Sequence, residues 1–458
     1  MSSFPAMSIL TRVRSFVEDA EPSFSDDEVI VENLPDSQPE PLEHDGPLSV
    51  ELRSEYSIYG PTEHNIYALA AVKASASELP PPRRHALDLV FVLDTSGSMA
   101  GAKLEVMKTS LNLALQELDA CDRVSIVSFS QRALRETPLI VMTAEGKRRA
   151  AAAVLRLFAA GGTNITGGLW LGLRVLQERR RRNSVTSLLL LTDGQDAPSL
   201  AALPALVHEA DEESCSLYGF GLGEDHDASL MRKLGELARS PYTYLRTPSD
   251  MTPCFKGFLA GLFLIVAQKV ELRLSVKSGE LEAVHTPFKV SRTGGERQVV
   301  VQIPDVMAGE EKSVLLQLRL PSSVAGEVEL LHALVFYTDA RRGRLSQIES
   351  QVLRASFSDE EQPDQEPDLE VSVKLIMKDV AGFMREASDS GSSARLKRDL
   401  EEQEEKLRRV VGCELKRYAT DLGEIRTAVQ GLEQPGARAA LGEQLLMLQL
   451  QRHSTVPP

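Results

Sequence analysis

Small oxygen-bearing side chains occur at three places in the chain, each next to an apolar or glycine-rich segment. They are Asp94, Ser96 and Ser98 on one short loop, Thr163 after a pair of glycines, and Asp193 at the end of a further apolar run. Hydroxyl and carboxylate oxygens on tight turns suit a hard divalent cation such as Mg²⁺, which takes few protein ligands and retains several waters. The residue types therefore predict a site for Mg²⁺, or for Mn²⁺ in its place, built from these five residues.

The segments that carry these residues have the pattern of a parallel sheet. The apolar runs at 86–93 and 188–191 are typical of buried parallel strands, and open α/β folds bind ligands at the carboxyl ends of such strands. Strand-like and helix-like segments alternate, as a doubly wound, Rossmann-like fold requires. The predicted helices are Ala102–Leu118, Ala144–Phe158, Thr166–Arg181, Leu200–Glu213, Ala228–Leu237 and Met251–Ile265. The predicted strands after the first are Val124–Ser130, Leu139–Met142, Val185–Leu191, Ser216–Gly221 and Thr243–Leu245.

The five residues resemble the metal-ion-dependent adhesion site of a von Willebrand factor type A (VWA) domain, and each position of that motif is matched in order. The resemblance covers roughly residues 87–266, about two-fifths of the chain. It implies that Ser96, Ser98 and Thr163 contact the metal and that the carboxylates hold it mostly through water. It also implies an open coordination position for an Asp or Glu of a partner protein. The alternative is a purely structural or empty site.

Four neighbouring residues are predicted to form a partner-binding rim around the metal. They are Met99, Asn164, Gln195 and His226. For His226 a second interpretation stays open, in which the flanking Asp225 and Asp227 cap the following helix.

Charge and composition limit the classes of partner. The chain of 458 residues has a net charge of −15, most of it in residues 1–46, with eleven acidic and two basic side chains, and in residues 355–370, with seven acidic and none basic. The remainder is close to neutral, so a nucleic-acid partner is not expected. The four cysteines are far apart, which argues against a zinc module or a disulfide framework. The apolar run 258–267 is shorter than the ~20 residues that span a bilayer, and no secretory signal is evident, so a cytoplasmic location is expected.

The domain organisation follows from changes in pattern. We expect a disordered acidic tail at 1–46, strands at 47–82, the VWA domain at 84–265, a β-sandwich region at 266–356, an acidic linker at 357–368 and a helical region at 369–452. Short alternating strands on both sides of the α/β core predict that it is inserted in an antiparallel β-sandwich. The helical region either packs on the body or binds a partner or a second copy.

This order of segments resembles intracellular proteins in which a β region follows the VWA domain, such as plant RING-type ubiquitin ligases. The cysteine–histidine RING of those ligases is not found in this sequence, so ligase activity is not carried over. A phosphatase of the haloacid dehalogenase type needs a second aspartate two positions after the first, and Ser96 stands there instead. A phosphate-cradling P-loop and a G-x-S-x-G nucleophile elbow are also missing. The sequence therefore predicts a non-enzymatic protein that captures an acidic residue through the metal. The alternatives are a substrate-binding component of a ubiquitin-ligase system and a metal-regulated scaffold or subunit of an ATPase complex.

Overall fold

The computed structural model describes a defined set of residues. They are 26, 46–60, 65–75, 84–194, 196, 199–213, 215–223, 226–238, 242–293, 297–321, 326–358, 365–390, 393–412 and 423. The chain divides into two compact units: Met1–Asp45, Leu79–Gln268 and Asp339–Arg344 form the first, and Gly46–Glu78, Lys269–Thr338 and Leu345–Pro458 the second. The predicted disordered tail lies outside the described residues except for Asp26 and Gly46.

The elements follow one another in an order that separates an α/β segment from two β segments. The strands are β1 (Leu48–Ser54), β2 (Ile58–Tyr59), β3 (Asn65–Ala74), β4 (Leu87–Asp94), β5 (Arg123–Phe129), β6 (Ala133–Arg135), β7 (Ile140–Val141), β8 (Val185–Thr192), β9 (Cys215–Leu222), β10 (Thr243–Leu245), β11 (Ile265–Val276), β12 (Glu280–His285), β13 (Lys289–Arg292), β14 (Gln298–Ile303), β15 (Val306–Met307), β16 (Glu311–Arg319), β17 (Gly326–Asp339), β18 (Arg344–Glu349) and β19 (Leu353–Phe357). The helices are α1 (Ala102–Glu117), α2 (Ala144–Arg156), α3 (Ile165–Glu178), α4 (Ser199–Glu212), α5 (Ala228–Ala238), α6 (Met251–Phe263), α7 (Leu369–Ser390) and α8 (Ser393–Val411).

The first unit is built on one sheet with the strand order β10-β9-β8-β4-β5-β6, and β7 pairs with β5. Strands β4, β5, β8, β9 and β10 are parallel, and every residue of β4, β5 and β8 is buried. Helix α1 contacts both α2 and α6, and α3, α4 and α5 contact one another in series. The predicted doubly wound α/β fold is therefore confirmed. Strand β4 is the point at which the strand order reverses, since the chain continues to β5 on one side and later to β8 on the other; ligand crevices form at such a point.

The second unit consists of strands from both sides of the α/β segment. A four-stranded antiparallel sheet has the order β1-β3-β16-β12, so β3 from before the segment pairs with β16 from after it. A larger sheet has the order β13-β14-β11-β17-β19-β2, with β15 on β11 and β18 on β17. These pairings are the ones that the predicted insertion requires. Strands β18 and β19 are separated around Ser350, whose N–H donates to the Ala333 carbonyl at 2.8 Å and whose hydroxyl accepts from the Ala333 N–H at 2.9 Å.

The helical region begins with a helix that is packed on the second unit. Val371 of α7 contacts Leu69 of β3 and Leu315 of β16, and Tyr67 and Leu375 pack around them. Helix α8 then packs on α7. The predicted helical region beyond Val411 lies outside the described residues apart from Gly412 and Gly423. In the part of the chain that the structure describes, none of the helices combines the length and the apolar character needed to cross a membrane.

Candidate metal centre

The candidate metal ligands converge at the carboxyl edge of β4 and β8. Asp94 is the last residue of β4, and Ser96 and Ser98 follow on a loop that contains a short 3₁₀ turn. Asp193 follows β8 directly, and β4 and β8 pair in parallel with Leu93 opposite Leu191. Because both strands end at the same edge, the two carboxylates are placed side by side.

Short hydrogen bonds join the side chains of Ser96, Ser98 and Asp193, and Asp94 accepts from the Ser96 N–H at 2.8 Å. The Ser96 and Ser98 hydroxyl oxygens lie 3.0 Å apart, and the Ser98 hydroxyl donates to Asp193 Oδ1 at 2.7 Å. The Thr192 hydroxyl donates to Asp94 Oδ2 at 2.5 Å and accepts from the Gly194 N–H at 3.1 Å. The structure therefore brings these oxygens close together, and their binding of a metal stays a prediction.

Thr163 lies close to the same place, next to Gly194. A Cβ atom at position 194 would lie 2.8 Å from Thr163 Oγ1 and 3.2 Å from Asp94 Oδ2. The missing side chain thus leaves a cradle between a hydroxyl and a carboxylate oxygen, and any larger residue would fill it. Within the described residues there is no group of three or more His, Cys, Asp or Glu side chains placed to hold a metal. A cation at this place would therefore take most of its protein ligands from hydroxyl groups, and such small neutral oxygens fit a hard cation.

Backbone hydrogen bonds hold the ligand loops to one another. The Gly97 N–H donates to the Gly161 carbonyl at 3.0 Å, and the Ala160 N–H donates to the Thr95 carbonyl at 2.8 Å. The Asp196 carboxylate accepts from the Ile165 N–H at 2.8 Å and so fixes the start of α3 beside Thr163. These bonds therefore hold the loop at 95–97 against the loop at 160–165, although the two are far apart in sequence.

The electrostatics of the site leave negative charge incompletely balanced. Asp94 is fully buried and Asp193 is 2% exposed. Burial raises the pKa of the Asp94 carboxyl, and the neighbouring Asp193 acts in the same direction, whereas hydrogen bonds from Ser96 and Thr192 oppose the rise. Among the residues that the structure describes, the partners of Asp94 are a backbone N–H and a hydroxyl. A cation would relieve this imbalance.

Lys103 is a member of this site that the sequence reasoning missed. Its ammonium lies 2.5 Å from Asp193 Oδ2, on the side away from Ser98, and its side chain is 29% exposed. Lys103 is in the first turn of α1, which starts just after the ligand loop. The sequence signal that could have identified Lys103 is its position, since it is a basic residue in the first turn of the helix that follows the ligand loop.

The predicted rim residues that the structure describes differ in burial and in their contacts. Met99 is fully buried, so its side chain packs in the core and is not part of an exposed rim. Asn164 is partly exposed and caps α3, because its Oδ1 accepts from the Gly167 N–H at 2.8 Å. His226 is 8% exposed and stacks on Tyr244 with ring centroids 5.1 Å apart. Asp227 caps α5 as the alternative interpretation expected, and Gln195 and Asp225 lie outside the described residues.

Comparisons with known proteins agree with this geometry. The family model described as von Willebrand factor type A domain matches residues 88–252. The solved structure "von Willebrand factor type A from Catenulispora acidiphila" aligns over 90% of this chain and 98% of its own, with a TM-score of 0.64 and 16% identity. At that identity the likeness shows the fold.

Two relatives from Arabidopsis thaliana carry the names of ubiquitin ligases. "E3 ubiquitin-protein ligase WAV3" is 31% identical over 283 residues, which are 57% of this chain and 34% of that protein. "Probable E3 ubiquitin-protein ligase WAVH2" is 29% identical over 305 residues, which are 62% of this chain and 41% of that protein. The chain thus matches well under half of each relative. Residues 88–252 match the von Willebrand factor type A domain family, and the fold is that of such domains.

Proposed function

We propose that the VWA domain binds a divalent cation, Mg²⁺ or Mn²⁺, and through it captures an acidic residue of a partner protein. The observation that carries the proposal is the position of Asp94, a buried carboxylate beside Asp193 that faces hydroxyls and the cradle at Gly194. Ser96, Ser98 and Thr163 would contact the cation, and Asp94 and Asp193 would hold it directly or through water.

The ligand set accounts for an acidic partner. A bound divalent cation supplies a positive charge that three neutral hydroxyls do not reduce. The two carboxylates are already shared with hydroxyl, backbone and Lys103 donors, so they neutralise the cation only in part. An incoming Asp or Glu therefore gains a strong ionic contact in a crevice that is partly shielded from water. Asn164, half-buried at the start of α3, stays as a candidate for partner selectivity, as do His226 and Gln195.

Calorimetric titration of the full chain with MgCl₂ and MnCl₂ tests the metal site directly. We expect one cation per chain and a raised melting temperature, because a ligand that binds the native state stabilises it by mass action. Thr163→Ala is expected to weaken uptake, whereas Thr109→Ala, which removes a hydroxyl from an exposed position of α1, is the matched control. Absence of metal uptake by the wild type would refute the proposal.

Capture of an acidic residue is tested by affinity purification in Mg²⁺ and in EDTA with wild-type and Asp94→Ala protein. A partner bound through the metal is expected to be lost with EDTA and with Asp94→Ala. Arg182→Met is the control, since the Arg182 side chain is 52% exposed and belongs to the opposite end of β8. A partner that is indifferent to both chelation and Asp94→Ala does not bind at the metal, and the helical region then becomes the better candidate.

A second function is favoured by the two relatives named as ubiquitin ligases. In this proposal the chain is a non-catalytic, substrate-binding component of a ubiquitin-ligase system, located in the cytoplasm. The test is an assay with E1, a panel of E2 enzymes and ubiquitin: purified protein alone is expected to form no conjugates, and ubiquitin enzymes are expected among the co-purified partners. Conjugates formed by the chain alone would show that it is itself a ligase.

A further inference from the structure

One residue of the acidic amino-terminal segment makes a well-defined contact with the VWA domain. The Asp26 carboxylate accepts from the Leu139 N–H at 2.9 Å and from the Arg135 guanidinium at 2.5 Å, both through Oδ1. The side chain of Asp26 is 16% exposed and that of Arg135 is 6% exposed. This contact lies at β6, whereas the candidate metal ligands follow β4 and β8.

The receiving site is oriented by the domain itself. Arg135 Nε donates to the Thr137 carbonyl at 3.3 Å, and a terminal nitrogen lies 3.6 Å from the Glu178 carboxylate of α3. The guanidinium is thus held in place by groups other than Asp26. A fixed guanidinium beside a backbone N–H is a donor arrangement that recognises carboxylates, and hydrogen bonds of this charge-assisted kind are among the stronger ones in proteins.

The position of the contact explains why a segment of chain is needed there. Strand β6 ends the strand path of the α/β sheet, and such edges carry backbone groups that proteins cover or protect. Leu134, next to Arg135 on β6, is 53% exposed. The surface at this edge therefore offers a cation, a backbone donor and an apolar side chain.

The amino-terminal segment has the complementary composition. Residues 1–46 have eleven acidic and two basic side chains, and the stretch around Asp26 also contains Phe24 and the apolar run Val29-Ile30-Val31. The acidic segment is thus complementary in charge to the Arg135 guanidinium, and its apolar residues are complementary in character to the exposed Leu134.

From these observations we propose that Arg135 and the Leu139 N–H form a second acidic-residue site, independent of the metal, whose occupant is the chain's own segment around Asp26. In the full chain the Asp26 carboxylate occupies this site through its bonds to Arg135 and the Leu139 N–H. A separate peptide with the sequence around Asp26 binds to this site when the chain's own Asp26 is replaced.

Fluorescence anisotropy with a labelled synthetic peptide of residues 18–34 tests this site in the full-length protein. In the wild type the tethered segment competes at an effective concentration in the millimolar range, so peptide binding is suppressed. Full-length Asp26→Asn protein is expected to bind the peptide at least about ten-fold more tightly than the wild type, in line with the loss of such a competitor. EDTA is expected to leave this binding unchanged, which separates it from capture at the metal.

Two substitutions identify the contact. A peptide with its own Asp26→Asn change is expected to bind the Asp26→Asn protein about ten-fold more weakly, and it cannot disturb the fold. Arg135→Met in the Asp26→Asn protein is expected to abolish binding, and Arg148→Met, at a side chain that is 75% exposed, is the matched control. Equal binding by wild-type and Asp26→Asn protein, no binding by either at millimolar peptide, or equal binding of both peptides would overturn the proposal.

Discussion

Two buried aspartates at the opposite ends of β4 show how one strand is used for two purposes. Asp88 and Asp94 are both fully buried. Asp88, near the start of β4, accepts from Arg123 through Nε and a terminal nitrogen at 2.8 Å each, and from Arg179 at 2.7 Å. Asp94, at the end of β4, accepts from the Ser96 N–H and the Thr192 hydroxyl.

The difference is one of charge rather than of burial. The negative charge of a buried carboxylate between two guanidinium groups is already balanced. Such a carboxylate stabilises the fold only as long as all of its partners remain. Asp94 is bonded to neutral groups and lies next to Asp193, so a nearby positive charge would stabilise its ionised form. Asp88 is thus satisfied within the fold, whereas the Asp94 end is the place where the proposed cation would bind, and the four predictions below test that division.

The largest effect is expected for Asp88→Asn. It removes the anion from between Arg123 and Arg179 and leaves two buried cations, and breaking a buried ion pair from one side costs about 3–5 kcal/mol of the free energy of unfolding. Urea denaturation followed by circular dichroism measures this loss. Asp94→Asn, assayed in EDTA, is the matched change on the same strand and is expected to leave stability nearly unchanged, because it removes repulsion from Asp193. Similar losses for both variants would remove the distinction between the two ends.

The next effect is expected for Arg179→Met, at about 2 kcal/mol, a smaller loss because Arg123 still pairs with Asp88. The Arg179 side chain is 1% exposed and also donates to the Thr186 hydroxyl. Burial lowers the pKa of Arg179 while Asp88 opposes that fall. Arg182→Met, at a side chain that is 52% exposed, is expected to change the unfolding midpoint little. Equal effects of both changes would contradict the assigned role of Arg179.

A third, smaller effect concerns the metal end. Lys103→Met removes the ammonium that lies 2.5 Å from Asp193. Removal of a neighbouring positive charge favours a cation, so we expect Mg²⁺ affinity to rise on the order of ten-fold in calorimetry. The melting temperature in EDTA is expected to fall slightly, since the two carboxylates lose their counter-charge. A loss of Mg²⁺ affinity would show that Lys103 helps to build the metal site.

The sequence predicted the α/β core because apolar runs identify buried strands. The candidate metal ligands could be named because Asp94, Ser96 and Ser98 stand on one short loop, and their role in binding a metal stays a prediction. The rim role predicted for Met99 was wrong because long-range packing decides it: Met99 is covered by the core. The contact of Arg179 with Asp88, which is 91 residues away in sequence, depends on long-range packing in the same way. The small strands β6, β12 and β13 were missed, since strands of three to six residues carry little periodicity.

The smallest effect is a dependence of stability on pH that originates at the Asp88 end. His85 precedes β4, is 6% exposed, and its Nε2 lies 2.8 Å from the Leu262 carbonyl. Burial lowers the pKa of His85, and the charges of Arg84 and Arg341 add to this, whereas the bond to Leu262 and the charge of Asp122 oppose it.

Because the folded pKa lies below the unfolded value of 6.5, the unfolded chain takes up the proton first as the pH falls. The contribution of His85 to stability is therefore present above pH 6.5 and is lost as the pH falls toward the folded pKa. Urea midpoints measured between pH 7.5 and pH 5.5 are expected to decrease in the wild type and to decrease less in His85→Gln, whose amide can still donate to Leu262. His208→Gln, at a side chain that is 76% exposed, controls for the loss of a histidine as such. An identical pH dependence in all three proteins would show that the Asp88 end contributes to stability without any proton uptake at His85.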